Sequence, residues 1–412
     1  MLSQPHRKSQ FHFTSNGLLI WGIVLLLSHP LGALAQSNTT ALKQWLLDGL
    51  EQQQVKESSV FPAGSFPSWR RYALNGGVEK ADVNPFFTGL IDFTLLNIHQ
   101  YFNRDQQQQI DKIRKGCQQI YPKFANRRGR PTYNFWPTDT PRIFPNGGWL
   151  NWFNQQQALP DDADDTVIIL MAQRANDSTA KKVHQLLRDF ANGQHQTIKN
   201  TYKEFRDLPA YSTWFGKKMP VDFDVCVLAN ILYFVQQYRL PWNDADSASL
   251  YLIEQCIAGD RYLTSPAFVS PHYQRVPVIL YHLSRLMQLQ PLAVLEKHKD
   301  KLVKETIDRL SKTNDYLDAV LLHTALLHWN IPYENTRLVN FDQWSAQIRE
   351  GPFSFFVANM SSMLPGSLKT SLDRAALGKF FYNCPGYHYA LVLENIIWQE
   401  IRNKEYIDVR TH

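Results

Sequence analysis

Apolar residues recur at helical spacing from about residue 40 onward, and few stretches show the two-residue alternation of a half-buried strand. Six segments are apolar nearly all the way round: "NPFFTGLIDFTLLNI" from Asn84, "PDDADDTVIILMAQ" from Pro160, "PVDFDVCVLANILYFV" from Pro220, "PHYQRVPVILYHLSRLM" from Pro271, "NDYLDAVLLHTALLHW" from Asn314 and "PGYHYALVLENIIWQE" from Pro385. Between them lie amphipathic candidates near residues 40–53, 105–121, 178–192, 245–257 and 292–310, with a less defined sixth within 340–374. A helix apolar on most sides must be buried on most sides, whereas an amphipathic one can cover it. Six such pairs predict an all-α fold, an (α/α)6 toroid of alternating inner and outer helices. An open α-solenoid is the competing arrangement.

The first residues stand outside this pattern. Arg7 and Lys8, the apolar run "GLLIWGIVLLLS" over 17–28, Pro30 and the small residues "ALA" over 33–35 form a secretory signal pattern. The apolar run is shorter than the roughly 20 residues of a spanning helix. The expectation is a signal peptide over 1–35, one toroid domain over 36–412, and a secreted or periplasmic protein. At 44% hydrophobic and 13% aromatic residues the chain can bury a large core. Its formal charge of +6 includes Arg7 and Lys8, which is no nucleic-acid footprint. Cys117, Cys226, Cys256 and Cys384 are widely spaced, without a CxxC pair, which argues against a zinc ribbon and leaves their pairing open.

The polar residues that break the apolar helices carry the candidate chemistry. Asp161, Asp162, Asp164 and Asp165 crowd the start of one helix, and Pro160-x-Asp162-x-Asp164 aligns with Pro220-x-Asp222-x-Asp224. Asp315 and Asp318 open a third helix. Aspartate caps a helix N-terminus, so either Asp161 or Asp162 has an ordinary structural reading. One cap leaves the others unexplained. In a closed ring the inner helices open at one mouth, where neighbouring carboxylates cannot all ionise. One must then keep its proton, as a general acid would, or share a bound Ca²⁺ or Mg²⁺.

Asp162-Ala163-Asp164-Asp165-Thr166 resembles the Asp-x-Asp-Asp-Thr motif of class II terpenoid cyclases, the squalene–hopene and copalyl-diphosphate type. That resemblance covers one motif and the helical pattern, and the Gln-x-x-x-Gly-x-Trp repeats of the triterpene enzymes are absent. It implies an α/α toroid acting on a polyprenyl-type substrate, with Asp164 as proton donor and Asp162 and Asp165 holding it protonated and oriented. It requires no cofactor, and a lipid substrate is compatible with peripheral membrane contact.

Two other classes fit the same residues. A glycan-active toroid would set Asp164 or Asp165 against Asp222, Asp224 or Asp318, roughly 6.5–9.5 Å apart in an inverting glycosidase. Trp149, Trp152 and Trp214 would then be sugar platforms. A polysaccharide lyase would instead use Tyr211, His272 or His388 as base. The third class is a non-catalytic periplasmic binding protein holding Ca²⁺ in the Asp cluster. Aromatic turns such as "YNFWPTD" from Tyr133 and "FFYNCPGYHY" from Phe380 could wall a cavity in any of these readings. A dry aromatic pocket would favour a terpenoid, and an open polar cleft a glycan. His282, His323 and His328, and the basic runs Arg70-Arg71 and Arg127, Arg128 and Arg130, read as structural or solvated.

Overall fold

A computed structural model describes residues 39–74, 77–139, 160–216, 219–333 and 341–411. The expected signal peptide, Trp149 and Trp152 lie outside the described residues. The chain divides into two compact units, Met1–Trp45 and Leu46–His412. Of the first, residues 39–45 are described and are helical. All that follows concerns the second.

Helix α1 covers residues 46–53 of this unit. The longer helices after it alternate in character as the sequence predicts: α2 (Phe86–Ile98), α3 (Arg104–Ile120), α4 (Ala163–Ala172), α5 (Asp177–Asp189), α6 (Val225–Gln237) and α7 (Asp244–Ala258). One-turn helices α8 (Arg261–Thr264) and α9 (Pro266–Val269) lead to α10 (Val276–Leu289). Then come the one-turn α11 (Ala293–Glu296), α12 (Lys299–Lys312), α13 (Tyr316–His328), α14 (Phe341–Glu350), α15 (Gly366–Arg374) and α16 (Pro385–Thr411). Every residue of α4 and of α13 is buried. By contrast α3 buries a single stripe, Gln106, Ile110, Ile113, Cys117 and Ile120, as an outer helix of 3.6-residue period must.

The apolar helices pack on one another in cyclic order. α2 lies against α4, α4 against α6, α6 against α10, α10 against α13, α13 against α16, and α16 returns to α2. The amphipathic helices pack against them: α3 on α2, α7 on α6, α12 on α13, α14 on α16. Among the described residues, no helix is long and apolar enough to cross a membrane.

The molecule is mostly helical, with one addition the sequence did not suggest. Four short strands, β1 (Trp69–Tyr72), β2 (Glu79–Ala81), β3 (Phe356–Asn359) and β4 (Lys379–Asn383), form an antiparallel sheet in the order β2-β1-β4-β3. At three to five residues these strands are too short to show a period against the helical background. Arg70, which reads as solvated in the sequence, is buried here, 3.5 Å from Asp82.

The loop entering β1 lies tight on α3. Gly64 has φ 90°, and a Cβ there would stand 2.2 Å from the carbonyl oxygen of Gly116. Gly64→Ala is therefore expected to cost about 1–3 kcal/mol, through an unfavourable φ and a backbone collision together. Urea denaturation would read this as a lower midpoint at unchanged slope.

Candidate active site

The starts of α2, α4 and α6, the turn that precedes α10, and strands β3 and β4 surround a cleft of about 690 Å³, counting its part open to solvent. Its walls are mainly aromatic and apolar, including Phe86, Phe135, Trp136, Trp214, Phe356 and Tyr382, with Met219, Met360 and Met363 beside them. Phe356 is the hub: its ring centroid lies 4.9 Å from Phe86, 5.5 Å from Phe135 and 5.3 Å from Tyr382. Behind this wall the buried Asp82 anchors two of the rings. Its carboxylate accepts hydrogen bonds from Trp136 Nε1 at 3.2 Å and from the Tyr382 hydroxyl at 3.4 Å. The carboxyls of Asp162, Asp164 and Asp165 and the ring of His272 supply titratable groups to the walls.

Backbone pairing fixes where the acidic helix begins. Asp162 is extended between two neighbouring segments: its N–H donates to the Tyr133 carbonyl (2.8 Å), and Ala163 N–H to the Thr213 carbonyl (2.9 Å). Thr166 of the motif donates its hydroxyl to the Asp162 carbonyl (2.6 Å) and accepts from Tyr133 N–H (2.9 Å). The helix cap is Asp162, whose Oδ1 accepts from the amides of Asp164 (2.8 Å) and Asp165 (3.0 Å). Asp161 turns the other way, to Asn126 and Thr132, both at 2.5 Å.

The three remaining carboxyls of the cluster, all buried, differ sharply in company. Asp162 has its two amides, yet burial and then the charge of Asp164 push its pKa up to about 7. Asp164 accepts from Asn230 Nδ2 (2.6 Å) at Oδ1 and from the Tyr273 hydroxyl at Oδ2. Burial still lifts it to about 6 against those two donors. Asp165 has no hydrogen-bond partner at either oxygen. Burial, with Asp162 and Asp164 adding repulsion, holds it well above the usual carboxylate range.

The other acidic pair is built differently. The alignment of Pro160 with Pro220 slips by two residues, because the cap of α6 is Asp224, which corresponds to Asp162. Asp224 accepts from the amides of Cys226 (2.9 Å) and Val227 (3.3 Å), the Ser270 hydroxyl (2.5 Å) and the amide of His272 (2.8 Å). That leaves it a structural acceptor, away from the cleft wall. Asp222 accepts from Asn200 (2.8 Å) and Ser362 (3.0 Å) and lies 3.3 Å from His272 Nε2. Burial opposes ionisation at both Asp222 and His272. The pair overcomes it, so Asp222 is held below the usual range and His272 above its own.

Of the other sequence candidates, Trp214 lines the cleft, its ring edge toward His272 at 6.4 Å. Tyr211 instead bonds Asp246 (2.8 Å) at the start of α7. Asp318 pairs with Arg275 (2.6 Å), and His388 Nδ1 contacts the Ile348 carbonyl (3.0 Å). These three do not line the cleft. All four cysteines are buried and free. His282, His323 and His328 are buried among core groups. Among the described residues no group of three or more His, Cys, Asp or Glu is disposed to hold a metal ion.

Sequence reasoning passed over Tyr273, Asn230 and Arg285. Asn230 and Arg285 interrupt apolar helices, and a buried polar residue there was the available signal. Tyr273 gave none, since its partner lies 109 positions away. No protein-family model matches the chain, and a search of curated proteins returns no match.

Proposed function

We propose that the chain is an exported (α/α)6-toroid enzyme that starts a carbocation rearrangement by protonating a polyprenyl-type substrate, in the manner of class II terpenoid cyclases. The observation that carries this reading is the unpartnered, buried carboxyl of Asp165 on a wall that is mainly aromatic and apolar. Burial without a partner favours the neutral acid, so a proton is in place at neutral pH. Aromatic faces stabilise a cation without quenching it, as alcohols or carboxamides would. The cyclic packing of the six apolar helices supports the toroid. The glycan reading is disfavoured because Asp222 and Asp224 spend their oxygens on internal donors.

The test is incubation of purified protein with acyclic polyprenes, prenyl diphosphates and a polysaccharide panel. Cyclic isomers of a polyprene are expected, each carrying one solvent deuterium when the reaction runs in D₂O. Release of sugars or oligosaccharides would overturn the reading in favour of a glycan-active enzyme. Consumption of nothing, with calcium raising the melting temperature, would favour a binding protein.

A further inference from the structure

Within that reading, on which this inference rests, we propose that Asp165 carries and donates the proton, while Asp164 stays a fixed carboxylate facing the cation that forms. The motif resemblance gives the donor's part to Asp164. The geometry reverses the two.

Asp164 is built to be charged. Each of its oxygens already accepts a hydrogen bond, one from Asn230 and one from Tyr273. Asn230 is itself polarised, because its Oδ1 accepts from the guanidinium of Arg285. Arg285 is buried among the rings of Phe93, Tyr233 and Tyr281, 5.3–5.8 Å from their centroids. The chain Arg285–Asn230–Asp164 thus runs from a buried cation to a carboxylate, and every donor in it favours the ionised form. A proton on Asp164 would have to displace the Asn230 amide or turn the Tyr273 hydroxyl from donor to acceptor.

Asp165 is the opposite case. It is 1% exposed, lines the cleft, and neither oxygen has a partner. A carboxylate there would lack any donor and would face Asp162 and Asp164 on the same helix. The neutral acid avoids both costs and leaves its O–H free of internal acceptors. What it can meet is whatever fills the cleft.

The transfer balances as follows. The O–H bond of Asp165 breaks, the π pair of a terminal alkene takes the proton in a new C–H bond, and a tertiary carbocation and the Asp165 carboxylate remain. The cation eases the repulsion among the three carboxylates, so the step is favoured only when substrate is present. The final carbocation loses one proton to solvent and the Asp165 carboxylate takes one from solvent, so substrate and product are isomers.

Infrared difference spectroscopy on the full chain tests where the proton sits, without substrate. At neutral pH the carbonyl stretch of a carboxylic acid free of hydrogen bonds is expected in the wild type and in Asp164→Asn, and lost in Asp165→Asn. A band lost in Asp164→Asn but kept in Asp165→Asn would overturn the assignment.

Turnover of a polyprene gives the second reading. Asp165→Asn should lose about 10³–10⁴-fold, the worth of a general acid, with fold retained by circular dichroism. Asp164→Asn should keep measurable activity, with the alkaline limb of kcat/KM moved to lower pH, because Asp165 loses a neighbouring negative charge. The remaining charged groups around the site stay in place: Asp162, Asp224, the Asp222–His272 pair, and on α2 Asp92, which is paired with Arg114 at 2.7 Å. Asp164→Asn with no residual turnover and a fully active Asp165→Asn would sink the proposal. A band that follows Asp165 in a protein converting no polyprene would support the protonated state and overturn the cyclase reading alone.

Discussion

Asp224→Ala is expected to destabilise the protein by about 3–5 kcal/mol, the scale of removing one side of a buried charged cluster. The fully buried carboxylate accepts four hydrogen bonds, two from the first turn of α6 and two from the segment Ser270–His272. Alanine leaves those donors buried without acceptors, and unsatisfied donors cost more than the bonds contributed. It also removes a helix cap. His272 should move with its amide, so the cleft wall is affected as well as the fold. Asp224→Asn keeps one acceptor oxygen and should recover part of the loss. Equilibrium urea denaturation of the two variants beside the wild type measures this. An alanine variant within about 0.5 kcal/mol of wild type, the scale of an ordinary surface change, would show that the cap carries no such load.

The second large effect is a dependence on pH. Asp162 titrates at about 7 in the folded chain, against roughly 3.9 in an unfolded one. Between those values the folded state binds the extra proton, so this carboxyl's contribution to stability is greatest below about pH 4 and is lost as pH rises to 7. The shift corresponds to roughly 4 kcal/mol. Asp162→Asn retains a capping side chain and removes the titration. The variant should match the wild type near pH 4 and exceed it by about 4 kcal/mol at pH 8. Denaturation curves at the two pH values decide it. A stability difference independent of pH would mean that neither burial nor the neighbouring carboxyls raise the Asp162 pKa in the folded chain.

The helical frame was legible because burial leaves a mark on every residue of a helix. The apolar run from Asn314 predicts α13, buried throughout, and the stripe within 105–121 predicts α3. The caps were half legible: the chemistry of aspartate at a helix start pointed to Asp162 or Asp161, and only backbone pairing with Tyr133 and Thr213 decides between them. The sheet was not legible, since β1 and β4 gain their meaning from each other across some 300 positions. The same holds for the company of Asp164 and Asp165. The motif places two carboxyls side by side, but Asn230 of α6 and Tyr273 of the turn before α10 determine which of the two is engaged.

The return of α16 onto α2, with β4 pairing β1, sets a timetable for folding. Neither early element can complete its core until residues beyond 379 have been synthesised, and contacts this distant in sequence form slowly. Chains shortened before Lys379 should therefore collect as aggregation-prone intermediates rather than as smaller working proteins. A nascent chain of this protein therefore stays open until its last helix arrives.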